Sequence, residues 1–143
     1  MAKSILVPTD GSPQAARRIE RTIDFAQQEG ATVHALYIVD TKRYGEPALS
    51  SMEVLIGNFE DDGREHLGAL VDAGARKGVI VDPHCSHGDP AKKIVETAEE
   101  LHVDIVIPCL EGINPEKLCR HGLDAKLIEP YARIANGSVS MPA

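Results

Sequence analysis

The sequence predicts an α/β fold, a doubly wound and mostly parallel sheet with helices on both faces. Three observations carry that prediction. Short runs that are apolar at consecutive positions suit strands buried on both faces, and they alternate with segments of helical period. Three helix starts share one pair, a capping residue followed by proline, and each follows a strand-like run. The length of 143 residues holds one core, so residues 1–143 read as a single domain.

The elements follow in order. Ser4 to Thr9 is the first strand. Ala15, Ala16, Ile19, Ile23 and Ala26 then fall on one helical face, and Gly30 stops that helix. Thr32 to Val39 is the second strand, and the polar stretch from Thr41 to Leu49, with Gly45 and Pro47, is a loop. Ser50 and Glu53 form a capping box for a long helix marked by Met52, Leu55, Ile56, Phe59, Leu67, Leu70, Val71 and Gly74. Gly78 to Ser86 is the third strand. Pro83 has no N–H for a ladder, which places this strand at a sheet edge or ends it early. Ile94, Val95, Ala98 and Leu101 mark the third helix, and Val103 to Ile107 the fourth strand. The crossovers should be right-handed.

The repeated helix starts are Ser12-Pro13, Asp89-Pro90 and Asn114-Pro115. In a doubly wound sheet such turns lie at the carboxyl ends of the strands, where ligands bind. The same pairs also serve as plain caps that need no ligand.

Composition narrows the function. Trp is absent and aromatic residues are scarce, so the core must rest on Val, Ile, Leu and Ala. A formal net charge of −7, with no Lys/Arg run, argues against a nucleic-acid partner. No apolar stretch approaches the ~20 residues of a membrane helix, and the run after Lys3 ends at Pro8, too soon for a signal peptide. Cys85, Cys109 and Cys119 form an odd set that reads as reduced thiols in the cytoplasm, which makes the Asn136-Gly137-Ser138 sequon incidental.

His84, Cys85, His87, Cys109, Cys119 and His121 supply ligand types for zinc, but their spacing matches no knuckle, so no metal is assigned. There is no Gly-x-Ser-x-Gly elbow. Cys109 with His87 is the one Cys/His pairing worth naming for thiol chemistry. The neighbouring carboxylates Asp61-Asp62 and Glu99-Glu100 point in different directions on a helix and read as solvated.

Three segments, KSILVPTDGS, LYIVD and HGDPAKKIVETAEELHVDIVI, occur in order on these elements. Together they resemble the universal stress proteins from Lys3 to Ile107, while the remainder resembles them poorly. The resemblance implies a Rossmann-like, five-stranded sheet and a homodimer. It also implies ATP or another adenine nucleotide at the carboxyl edge of the sheet, with Mg accompanying it. In the family's ATP-binding branch the fourth strand is followed by Gly, two residues, Gly, nine residues, Gly, then Ser or Thr. Glycines let the backbone approach phosphate, and free N–H groups favour the anion.

Here that stretch follows Pro108 and reads CLEGINPEKLCRHGL. Gly112 and Gly122 keep the spacing, whereas Cys109 stands at the first glycine and Leu123 at the hydroxyl position. Both changes weaken phosphate binding, and Glu111 adds like charge, about 3 kcal/mol at ~5 Å and an effective dielectric of ~20 before screening. Lys117 and Arg120 offset this if they fold over the site. For the nucleoside half the resemblance points to Asp10 and Ile38, with Pro8 and Thr9 shaping the floor. Asp10 has an equal reading as a turn residue bonding the Gly11-Ser12 backbone. The family's dimerising fifth strand has only a short counterpart, Ser138 to Met141. Pro130 interrupts the helix hinted at by Leu127, Ile128, Tyr131 and Ile134.

Three functional readings follow: a module that senses or sequesters an adenine nucleotide, a nucleotide-free interaction protein of the same fold, and an enzyme. The last, a weak nucleotide hydrolase or thiol chemistry at Cys109, has no general base placed by motif.

Overall fold

A computed structural model of the chain describes residues 3–40, 49–108, 110 and 112–129, with the backbone alone for residues 49–60. Among the described residues four strands and four helices alternate: β1 (Ser4–Thr9), α1 (Pro13–Glu29), β2 (Thr32–Asp40), α2 (Leu49–Arg76), β3 (Val81–Gly88), α3 (Pro90–Leu101), β4 (Ile105–Val106) and α4 (Pro115–Arg120). A 3-10 turn at Ala125–Leu127 follows. The strands form one parallel sheet in the order β3-β2-β1-β4. The fifth strand expected at Ser138–Met141 lies outside the described residues, as do the side chains of the Ser50–Glu53 capping box and the sequence from Pro130 onward.

Pleating sorts the core into two halves. Ile5 and Val7 of β1 with Val33, Ala35, Tyr37 and Val39 of β2 meet Ile19, Ile23 and Ala26 of α1 and Leu67 and Leu70 of α2. Leu6, Leu36 and Ile38 face the other way, onto Ala91, Ile94, Val95 and Ala98 of α3 and Leu118 of α4. The chain moves one way from β1 to β3 and then crosses to β4, which puts α3 opposite α1 and α2 when crossovers are right-handed. The largest fully buried side chains are nearly all aliphatic. Each contributes about 1.5–3 kcal/mol relative to exposure, so a core without Trp suffices.

Pro83 stands in β3, and β3 is an edge strand, where a missing N–H costs no ladder bond on the open side. The strand itself begins later than the sequence suggests. Gly78, at φ 70, closes the turn after α2, and β3 runs from Val81 to Gly88. Glycine also sets how closely α2 approaches the sheet. A Cβ on Gly63 would lie 2.5 Å from Tyr37, and one on Gly74 would lie 2.5 Å from Val81. These two glycines are about three turns apart and share the sheet-facing side of α2.

Candidate functional site

In a sheet of order β3-β2-β1-β4 the winding direction reverses between β1 and β4, and that reversal opens a crevice beyond the strand ends. A cavity of about 550 Å³ lies at this point, lined by Asp10, Ser12, Gln14, Arg18, Pro108, Leu110 and Ile113. Its walls come from the turn after β1, the first turns of α1, and the turn after β4.

The β1 wall is built by local hydrogen bonding. Asp10 Oδ1 accepts from the Ser12 N–H at 2.9 Å, and Ser12 Oγ accepts from the Ala15 N–H at 3.2 Å. Gly11 between them has φ 83, which a side chain resists, and its N–H donates to Thr9 Oγ1 at 3.1 Å. Asp10 therefore performs the turn role while its residue also lines the cavity. Thr9 is fully buried, and its hydroxyl lies 2.9 Å from His66 Nε2 on α2. The hydroxyl accepts from Gly11 and can also donate to that ring nitrogen or accept from it, according to the imidazole tautomer. Desolvation lowers the pKa of His66, and the nearby Asp10 carboxylate raises it less. His66 had no signal in the sequence, because only folding brings α2 back to β1.

The β4 wall is built differently. Leu110 and Ile113 close a tight turn through the bond from Ile113 N–H to Leu110 O at 3.0 Å, with Gly112 at φ 78 between them. Asn114 accepts from the Lys117 N–H at 2.8 Å and starts α4. At its other end the Gly122 N–H donates to Cys119 O and the Leu123 N–H to Leu118 O, both at 3.0 Å. That pair of bonds is a Schellman stop, with Gly122 at φ 101 as its left-handed residue. Leu118 and Leu123, the two positions that can meet across such a stop, belong to one buried cluster.

Of the residues singled out in the sequence, Asp10 and Pro108 meet at the cavity. Gly112 sits in the adjoining turn. Pro8 and Thr9 lie in buried strand, and Ile38 is buried in the α3-side core. Gly122 and Leu123 belong to the helix stop, and Leu123 is only 5% exposed, its side chain turned into the core. Cys109 and Glu111 lie outside the described residues. Among the described residues the cation lining the cavity is Arg18 of α1, while Lys117 and Arg120 do not line it. Arg18, Gln14, Leu110 and Ile113 carried no motif. Arg18 could have been suspected from its place one turn into a helix that opens at the strand end. The mixed Cys/His set is split by the pleat: His84 projects to the α3 side, and Cys85 and His87 to the other.

The fold and the switch-point crevice define the class: a doubly wound parallel α/β domain with a small-molecule-sized cleft at its carboxyl edge. The chain belongs to the universal stress protein family, which it matches over residues 1–108. It is 32% identical over 106 residues to a universal stress protein of Methanocaldococcus jannaschii, an alignment covering 73% of this chain and 62% of that one. The chain thus matches less than two thirds of that relative's length. A crystal structure of a universal stress protein family member from Burkholderia pseudomallei superposes with a TM-score of 0.72 at 24% identity, covering 83% of this chain and 89% of the other. One from Arabidopsis thaliana, with AMP bound, gives 0.60 at 13% identity over 83% and 85%. Such identities speak to the shared fold. The family match ends at Pro108, where the β4 wall begins. Among the described residues, no helix is long and apolar enough to cross a membrane.

Proposed function

We propose that this chain is a stress-response module that binds an adenine nucleotide weakly at the switch-point cleft and holds it chiefly through the nucleoside. The observation that carries the reading is the cavity of about 550 Å³ between Asp10–Ser12 and Pro108–Ile113. Support comes from relatives of the same fold crystallised with AMP, cAMP and dAMP. The apolar side chains of Pro108, Leu110 and Ile113 suit a base or ribose face, and Asp10 suits a ribose hydroxyl. Arg18 offers one guanidinium for an α-phosphate.

The rest of the phosphate half argues for weak polyphosphate binding. Leu123 has no donor and is buried, and Gly122 caps a helix. Mg²⁺ would enter only with a nucleotide's phosphates. Homodimerisation and a cytoplasmic location complete the proposal. The buried Leu123 also favours a second reading, a nucleotide-free interaction protein of this fold.

A thermal shift with AMP, and separately with ATP and Mg²⁺, tests the proposal. Ligand at 100 times its Kd adds about 2.7 kcal/mol of stability. No shift with either at millimolar concentration would remove the nucleotide reading and leave the interaction protein.

A further inference from the structure

The open edge of the sheet carries a side-chain cluster that the cleft does not use. In the parallel register His34 of β2 stands beside Asp82 of β3, and Leu36 beside His84. Alternate residues of a strand share a face, so His34, Asp82 and His84 all project to the α3 side. Nδ1 of His34 lies 3.1 Å from Nε2 of His84 and 3.5 Å from Oδ2 of Asp82, and the third edge, His84 Nε2 to Asp82 Oδ2, is 3.7 Å. Three ligating atoms from three residues thus surround one point.

A histidine–histidine hydrogen bond accounts for one of these three contacts, the 3.1 Å one. Between two neutral imidazoles one nitrogen donates and the other presents its lone pair. Whichever nitrogen accepts, its lone pair lies beside the Asp82 carboxylate. The accepting nitrogen and the carboxylate oxygen are then two electron-rich atoms side by side, and a cation in place of the shared proton would take a lone pair from all three residues. A neutral imidazole is the form that binds metals.

We propose that His34, Asp82 and His84 form a binding site for a zinc-class divalent cation, with water in the remaining coordination position. With bonds of about 2.0–2.1 Å, tetrahedral ligand atoms sit about 3.3–3.4 Å apart. The observed edges of 3.1, 3.5 and 3.7 Å bracket that value. Two imidazoles and one carboxylate suit zinc and its first-row neighbours, whereas magnesium and calcium prefer all-oxygen shells. Exposure grades from 12% for the His34 side chain through 26% for His84 to 51% for Asp82, so one ligand is anchored in the fold and the entry side is open. The site lies near the start of β2, whereas the cleft lies beyond the strand ends, so the two are separate.

The test uses tag-free, full-length protein stripped with a chelator. Zn²⁺ is titrated calorimetrically, and Co²⁺ is added in parallel to read coordination from its visible absorption. One equivalent of Zn²⁺ is expected, with a Co²⁺ spectrum of four-coordinate N/O character and a higher melting temperature with metal. Asp82→Asn and His84→Gln change exposed or half-exposed groups, and circular dichroism checks that both fold. Each is expected to lower Zn²⁺ affinity at least about 10-fold, since even outer-shell changes cost about 10–100-fold. Absence of a stoichiometric site in the parent protein, undiminished binding in both variants, or thiolate charge-transfer bands with Co²⁺ would each overturn the assignment.

Discussion

The two walls of the cleft differ in what their polar and glycine positions do. After β1, the Asp10 and Ser12 side chains accept from nearby backbone N–H groups and the Gly11 N–H donates to the Thr9 hydroxyl, while Asp10 and Ser12 still line the cavity. After β4, the corresponding positions serve structure: Gly122 ends α4, and Leu123 fills the core beneath it. A motif position can therefore keep its glycine and change its role. The positive φ that lets backbone approach a phosphate is the same one that ends a helix, and the neighbouring residue decides which use prevails.

Leu123→Ser is the harshest way to break this comparison. Removing a buried Leu costs about 2–5 kcal/mol, and the buried hydroxyl adds to that, so urea unfolding should show a loss of about 3 kcal/mol or more. An unchanged midpoint would mean that residue 123 faces the cleft after all. A glycine pair comes next. Gly11→Ala meets Tyr37 at 3.1 Å as well as a strained φ of 83, whereas a Cβ on Gly112 has nothing within 4 Å. Gly11→Ala should cost about 2 kcal/mol and Gly112→Ala about 1, and the reverse order would show that the β4 turn is the tighter packed. Ser12→Ala should cost about 1 kcal/mol through the lost cap, measured in the same way.

The smallest effect is pH-dependent. Folding lowers the proton affinity of His66 below its ordinary value of 6.5, chiefly by desolvation. Just below that pH the unfolded chain binds more protons than the folded one. Stability is therefore complete above about pH 6.5 and is lost as pH falls. His66→Gln should flatten the fall in denaturation midpoint between about pH 7.5 and pH 5.5. An identical slope in parent and variant would take His66 out of the β1 wall's electrostatics.

Much of the fold was legible because β1 and β2 are apolar at consecutive positions, and because Pro83 can stand only where a ladder bond is dispensable. The three pairs marked helix starts at Pro13, Pro90 and Pro115, and Ser12 and Asn114 cap through their side chains whereas Asp89 makes no such cap bond. The start of α2 falls at Leu49, just before the Ser50 read as its cap, within the usual fraying of helix ends. The cleft was legible by half. Asp10 stood out through the resemblance carried by KSILVPTDGS, with a turn role as its equal reading. Leu123 could be placed only by the helix stop, whose backbone bond ties it to Leu118 and turns it into the buried cluster they share. His34, Asp82 and His84 stayed hidden because strand register is not written in either strand alone. The Cys/His set, to which the sequence assigned no metal, is divided at Cys85 because adjacent strand residues face opposite ways.

The central claim is that the nucleoside half binds and the polyphosphate half contributes little. Calorimetric titration with adenosine, AMP and Mg²⁺–ATP in one buffer tests it most directly. The account predicts weak binding that strengthens less than about 10-fold from adenosine to ATP, under 1.4 kcal/mol for all the added phosphates. ATP binding 100-fold or more above adenosine would contradict it and return the β4 wall to phosphate recognition.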